Sequence, residues 1–250
     1  MEGPSLFLAA EQLKPFINKK ITIVSGNTKI GKERLLNKKV LDIFSWGKHL
    51  LFQFDTFALR THFMLFGSFE AIVHKKMVTG DYPRKNRPIR LQLVFDIGEI
   101  DLYSCSLRYI ESANVVELYD YSTDVMSSSW DSKKAFHTIQ QMPENEIADV
   151  LLDQNIFSGV GNIIKNEVLF LAKIKPTHLV KDISSIKAKK IIRLVREFSL
   201  QFYKWRKRFE LKKHYQIYRK GVCPICKSKI TRKKTGIRNR LSFFCPKCQK

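Results

Sequence analysis

Four of the five cysteines stand as two pairs, Cys223-Pro-Ile-Cys226 and, after eighteen intervening residues, Cys245-Pro-Lys-Cys248. Two CxxC turns at this separation can present four thiolates tetrahedrally to one Zn²⁺. Four sulfurs close the coordination shell, so a zinc held by Cys223, Cys226, Cys245 and Cys248 is expected to be structural, with no open position for water. Two disulfides or free buried thiols are the competing reading. The segment has few large apolar side chains, and a metal staple explains better how it would fold. Cys105 stands alone between strand-like residues and reads as a small core residue. Between the pairs runs Lys-Thr-Gly-Ile-Arg-Asn-Arg-Leu-Ser-Phe-Phe, residues 234–244. A metal-pinned hairpin with Arg238 and Arg240 at its tip would offer two guanidinium groups to a phosphate or a groove. On charge alone, ordinary surface arginines explain them equally well.

A second constellation is the run from Leu151 to Asn162, Leu-Leu-Asp-Gln-Asn-Ile-Phe-Ser-Gly-Val-Gly-Asn. It reads as a helix end, tight turns and a new helix start, with Gly159 and Gly161 allowing positive φ or a close backbone approach. Asn162 then opens an amphipathic helix (Ile163, Ile164, Val168, Leu169, Leu171). The free N–H groups of a helix start suit a phosphate, and an Asn side chain adds a donor. An ordinary helix–turn–helix with Asn162 as N-cap is the plainer alternative.

These groups need elements to hold them. Residues 5–18 carry apolar residues at helical spacing, with Ser5 as an N-cap. Residues 21–25, 39–45, 49–55, 57–65 and 67–74 read as strands, and 89–95 and 99–104 flank Asp96-Ile97-Gly98 as a hairpin. The polar stretch 121–131 reads as a linker. Helices are expected over 132–141, 145–153, 162–173 and 183–204, punctuated by Pro143, Gly159, Gly161 and Pro176. Short β-like pieces surround the cysteines over 214–250.

The chain has 250 residues, 44% of them hydrophobic, which fills a substantial core and excludes a disordered basic tail. The net charge is +22, and the stretch from Arg206 to Lys250 holds sixteen Lys/Arg against one acid, Glu210. That charge is interleaved with Tyr215, Tyr218, Phe243, Phe244 and four cysteines, as in a folded module that fixes its basic groups. A polyanion is the expected partner, nucleic acid first. No apolar run approaches the ~18–20 residues of a membrane span. Met1-Glu2-Gly3-Pro4 lacks the basic start and apolar stretch of a signal peptide. A cytoplasmic or nuclear protein is therefore expected, neither secreted nor membrane-bound.

Taken in order, Glu2-Gly3-Pro4, Trp46-Gly47-Lys48-His49-Leu50-Leu51, Thr61-His62-Phe63-Met64-Leu65-Phe66-Gly67 and the Leu151–Asn162 hinge form one series. Tyr218-Arg219-Lys220-Gly221, leading into the cysteine pairs, completes it. The series resembles the formamidopyrimidine-DNA glycosylase/endonuclease VIII family of base-excision-repair enzymes, over nearly the whole chain. The resemblance implies an α+β multidomain fold. Its parts would be an N-terminal β-sandwich with a leading helix (1–125), a helix–two-turns–helix domain (126–212) and a C-terminal zinc-finger β-hairpin (213–250). Damaged double-stranded DNA would lie between the lobes of a monomer. In the family, the N-terminal α-amine attacks C1′ of the damaged nucleotide, and the Schiff base leads to base loss and β- and δ-elimination. An α-amine suits this because its pKa of about 7.7–8 leaves part of it neutral, and an imine is an electron sink. By resemblance, Glu2 is the acid/base on the sugar and Lys48 contacts a phosphate. Asn162, in the Gly161-Asn162 turn, and Arg240 clamp phosphates beside the flipped nucleotide. Met64, with Leu65 and Phe66 in the loop after His62, fills the vacated stack, since apolar wedges offset the stacking lost on flipping. Without the resemblance, Met64-Leu65-Phe66 reads as plain core.

The family begins Met-Pro-Glu-Gly-Pro, whereas this chain begins Met-Glu-Gly-Pro, so the amine before Glu2 is that of Met1. Ser5 replaces a Glu often found in the family. A bifunctional glycosylase/AP lyase acting through the Met1 amine is the expectation. Alternatives are a member that binds lesions or abasic sites with weakened or lost chemistry, and a non-catalytic zinc-ribbon nucleic-acid-binding protein. Family members handle oxidised purines or oxidised pyrimidines. The choice is expected in a variable loop within 203–216, with the wedge segment leaning towards the endonuclease VIII branch.

Overall fold

The computed structural model describes residues 1–79 and 86–250. They form two compact units, Met1–Asp120 and Tyr121–Lys250.

The first unit opens with α1, Gly3–Leu13. Glu2 is its N-cap, in extended backbone, and Pro4 falls in the first turn, where no N–H is needed. Ser5 is therefore not the cap that its residue type suggested. It lies buried inside the first turn, its hydroxyl without a hydrogen-bond partner. Seven strands follow: β1 Ile23–Ser25, β2 Asp42–Trp46, β3 His49–Gln53, β4 Ala58–Val73, β5 Lys76–Thr79, β6 Leu91–Phe95 and β7 Gly98–Ile110. They make one antiparallel sheet in the order β1-β6-β7-β4-β3-β2, with β5 also on β4.

Segments expected as two strands, 57–65 and 67–74, are the single strand β4, and β7 runs on past Ser104 to Ile110. The β4–β7 register shifts between Phe63 and Ser68. Before the shift β4 pairs with β3, and after it with β5, while β7 continues beside both halves. A register irregularity of this kind bends paired strands. Leu50 and Phe52 of one half then share a single buried cluster with Leu91 and Leu93 of the other and with Leu6 and Leu13 of α1. The expected β-sandwich is built from one continuous antiparallel sheet whose two halves share this core.

The second unit contains α2 Ser132–Gln140, α3 Ile147–Val150, α4 Asn162–Ala172 and α5 Ser185–Lys207. Asp131 caps α2 by accepting from the amides of Lys133 and Lys134, and Ser184 caps α5 through Lys187. The helix expected over 145–153 shrinks to α3. Beyond it the chain turns through Asp153–Phe157 and reverses at Gly159, where φ is +96°. Val150, Leu151, Phe157, Val160, Ile164, Ile191 and Val195 share the core.

β8 Thr231–Thr235 and β9 Arg240–Phe244 form the hairpin between the cysteine pairs. Phe170 of α4 packs with Ile217, Ile230 and Phe243, so the cysteine module belongs to the same compact unit as the helices. The stretch 203–216 is where the residues that choose the lesion are expected. It comprises the end of α5 and a 3-10 turn at Leu211–His214, with His214 stacked on Trp205 at 4.2 Å. Among the described residues no helix is long and apolar enough to cross a membrane.

Candidate nucleic-acid site and metal centre

In the first unit, Gly47-Lys48 is the two-residue turn that joins β2 to β3, with Gly47 at φ +53°. Such a turn needs positive φ at its first position, and it sets Lys48 at a hairpin tip. His49 and His62 are direct cross-strand partners, their rings 5.2 Å apart and edge-on. The pKa of His62 is lowered first by burial and then by the positive charge of the Met1 α-amine. His49 is pushed down to about 3, by burial first and then by Arg60, His62 and Lys48. Both imidazoles are therefore neutral at neutral pH. Met1 is half-buried against the core cluster, and Glu2 is 9% exposed. The expected group of Met1, Glu2, Lys48 and His62 thus assembles around the start of α1 and the β2–β3 turn.

Met64, Leu65 and Phe66 occupy the register shift in β4 and are 55%, 71% and 49% exposed, so they are not the core residues that hydrophobicity alone suggested. Arg87 braces this segment. Its guanidinium donates to the Phe66 carbonyl and the Ser104 hydroxyl and lies 5.6 Å from the Phe66 ring.

In the second unit, Gly161 is the N-cap of α4 in extended backbone, so only Gly159 of the two hinge glycines uses positive φ. Gln154 holds the hinge by donating to the carbonyls of Leu152 and Val160 and accepting from the amide of Gly159. Asn162 is the first residue of α4 rather than its cap. Its amide donates to the Leu241 carbonyl at 2.9 Å, immediately beside Arg240. Arg240 opens β9, is exposed, and has no side-chain partner among the described residues. Arg238 differs, because its guanidinium reaches Asp153 at 3.3 Å.

Residue types and spacing did not reveal what fixes these groups. Lys165 is fully buried and donates to Ser242 at 2.7 Å, and Asn166 accepts from the Phe243 amide at 2.7 Å. Glu167, also fully buried, accepts from the amides of Gln216, Ile217 and Tyr218. Burial raises its pKa, while those three amides pull it back. Asp149 accepts from the amides of Ile237 and Arg238 at the hairpin tip. A Cβ on Gly236, where φ is +69°, would stand 2.3 Å from that carboxylate, so the turn admits only glycine.

The four paired cysteines present their sulfurs within 4.8 Å of one another. The Cys223–Cys248 and Cys226–Cys245 separations are 3.9 and 3.4 Å. Zn–S bonds of about 2.3 Å in a tetrahedron require sulfurs about 3.8 Å apart, so this set fits a closed four-sulfur centre. None of these cysteines is in a disulfide. Cys105 is buried, its pKa pushed up to about 12, as fits an inert core thiol.

Residues 122–199 match the formamidopyrimidine-DNA glycosylase H2TH domain. The chain is similar to endonuclease 8-like 3 of Xenopus laevis, 34% identical over 210 residues, covering 82% of this chain and 33% of that protein. An endonuclease 8-like protein of Acanthamoeba polyphaga mimivirus is 29% identical over 289 residues, covering 100% of this chain and 99% of the relative. The chain spans about a third of the length of the vertebrate endonuclease 8-like 3 proteins it matches. Among solved structures, a viral DNA glycosylase superposes with a TM-score of 0.82 at 24% identity, both chains covered in full. The formamidopyrimidine-DNA glycosylase of Lactococcus lactis, bound non-covalently to DNA with an abasic site, gives 0.84 at 23%, again with full coverage. At these identities the structural likeness is one of fold.

Proposed function

The chain belongs to the formamidopyrimidine-DNA glycosylase/endonuclease VIII family, and from that premise we propose that it is a base-excision-repair DNA glycosylase with AP lyase activity. Its substrate is damaged double-stranded DNA carrying an oxidised base, and it acts as a monomer in the nucleus or the nucleoid-bearing cytoplasm.

The observation that carries this reading is the grouping of Met1, Glu2, Lys48 and His62 in the first unit. The neutral Met1 amine adds to C1′ as the damaged base leaves with its bonding electrons. The carboxyl of Glu2, next in the chain, moves the proton on the sugar oxygen as the ring opens. Cleavage of the C1′–O4′ bond in that ring opening itself gives the protonated imine, which acidifies C2′–H, and loss of that proton expels the 3′ phosphate. Lys48 neutralises a phosphate nearby. Neutral His49 and His62 pair across β3 and β4 beside the β2–β3 turn. Met64, Leu65 and Phe66 fill the vacated stack, where their exposure is of use only against bases.

The second unit holds the backbone through Asn162, the Gly161 turn and Arg240, with Arg238 fixing the hairpin tip against Asp153. Cys223, Cys226, Cys245 and Cys248 hold one zinc, which supplies folding energy and takes no part in the reaction. A lesion panel tests the proposal. At constant salt the protein should release a base from, and nick, duplexes with an oxidised purine or pyrimidine while sparing intact duplex. Equal affinity for all duplexes with no strand scission would favour the non-catalytic zinc-ribbon alternative.

A further inference from the structure

Strand register lays out the face of the first unit that lies away from its main core. Trp46, His49, His62 and Ser106 form one cross-strand row, and Phe44, Leu51, Arg60 and Arg108 form the next. Arg60 and Arg108 are thus directly opposed on neighbouring strands, where like charges ordinarily destabilise a sheet. Neither guanidinium has an ion-pair or hydrogen-bond partner among the described residues. Glu111 does not offset them, because Arg34 already holds its carboxylate with two bonds of 2.5 and 2.7 Å.

Both arginines line a cavity of about 490 Å³, and Tyr119 forms another wall. Tyr119 stacks on Trp46 at 4.8 Å, and its buried hydroxyl has no hydrogen-bond partner. Two unneutralised forks and an orphan phenol beside one cavity call for a compact oxyanion with several acceptor oxygens. The Arg60 field also reaches the histidine row, since it helps to hold His49 neutral.

We propose that Arg60 and Arg108 form a phosphate subsite, resting on the DNA-repair reading above, that grips a backbone phosphodiester. Two residues of strand set it about 7 Å from the His62 row. A free phosphate carries the same chemistry, and the test separates the two sources.

The test uses the full chain in two arms. In the first, affinity for a duplex with a tetrahydrofuran abasic analogue is measured over a salt series for the wild type and for Arg60→Gln/Arg108→Gln. Losing one phosphate contact should reduce the slope of log K against log salt by about 0.9, on damaged and intact duplex alike. In the second, inorganic phosphate is titrated without DNA at matched ionic strength, followed by ³¹P NMR. A smaller slope assigns the subsite to the DNA backbone. Lost phosphate binding with an unchanged slope assigns it to free phosphate. No change in either arm overturns it, even where lesion preference and the DNA reading stand. A wild type that ignores DNA would sink that reading, and the phosphate arm would then decide the subsite alone. Removing opposed like charges relieves repulsion, so the double variant should fold. Arg60→Lys/Arg108→Lys keeps the charge without the planar fork and should retain the salt slope.

Discussion

The two units hold their functional groups by opposite means. The first carries 17 basic and 13 acidic residues and positions Met1, Glu2, Lys48 and His62 by strand register around an apolar core. The second carries 28 basic against 10 acidic residues and positions Asn162 and Arg240 by buried polar contacts. Three of those few acids, Asp149, Asp153 and Glu167, are spent on the hairpin, its lead-in and Arg238. On the proposed mechanism the first unit must keep its amine partly neutral, which neighbouring cations favour. Where binding needs concentrated positive charge, the second unit accepts the cost of burying ions to keep that charge in register.

The largest effect is expected where the proposed proton-handling group of the first unit is removed and the second unit is left intact. Glu2→Gln should lower base release by about 10²–10⁴-fold in single-turnover assays while affinity for an abasic analogue stays within a few-fold. Next comes the metal. Chelation, or Cys245→Ser, should release one zinc per chain and weaken DNA affinity more than tenfold. The melting transition of the first unit should persist, as followed by calorimetry.

A smaller effect is expected at Asp149→Ala, which leaves the amides of Ile237 and Arg238 without their acceptor. About 1–3 kcal/mol should be lost in denaturant titration of the second unit, together with weaker binding through Arg240. Smallest is the pH dependence of the first unit. The folded pKa of His49, about 3, lies below that of a free imidazole, about 6.5. The stability it contributes is therefore complete above pH 6.5 and is lost as pH falls towards 3. His49→Gln should flatten the decline of Tm over that window. An unchanged profile would show that His49 does not set the acid stability of the first unit.

Local chemistry was legible in the sequence wherever a few neighbouring residues define it. Cysteine spacing announces a tetrahedral sulfur set, and Gly159-Val160-Gly161-Asn162 announces a turn into a helix. The order of motifs located the rest. What could not be read depends on distant partners. Lys165, Asn166 and Glu167 look like the wet side of an amphipathic helix, yet they are buried because the cysteine module covers them, with partners 49 to 77 residues away. The break expected between 57–65 and 67–74 is instead a register shift within β4, and at Gly67 the chain runs so close to β7 that a Cβ would meet the Ser104 carbonyl at 2.6 Å. Ser5 departs from the N-cap expectation for a different reason. The Gly3-Pro4 pair already marked the first turn, and a proline in that position outranks a serine as a start signal.

On the proposed mechanism the α-amine of Met1 is the nucleophile. Borohydride reduction during reaction with abasic-site DNA, followed by peptide mass spectrometry of protein with a verified free N-terminus, tests it most directly. A stable protein–DNA adduct mapped to Met1, and lost when the amine is acetylated, is expected. No adduct, or one mapped to a lysine and indifferent to N-terminal acetylation, would contradict it.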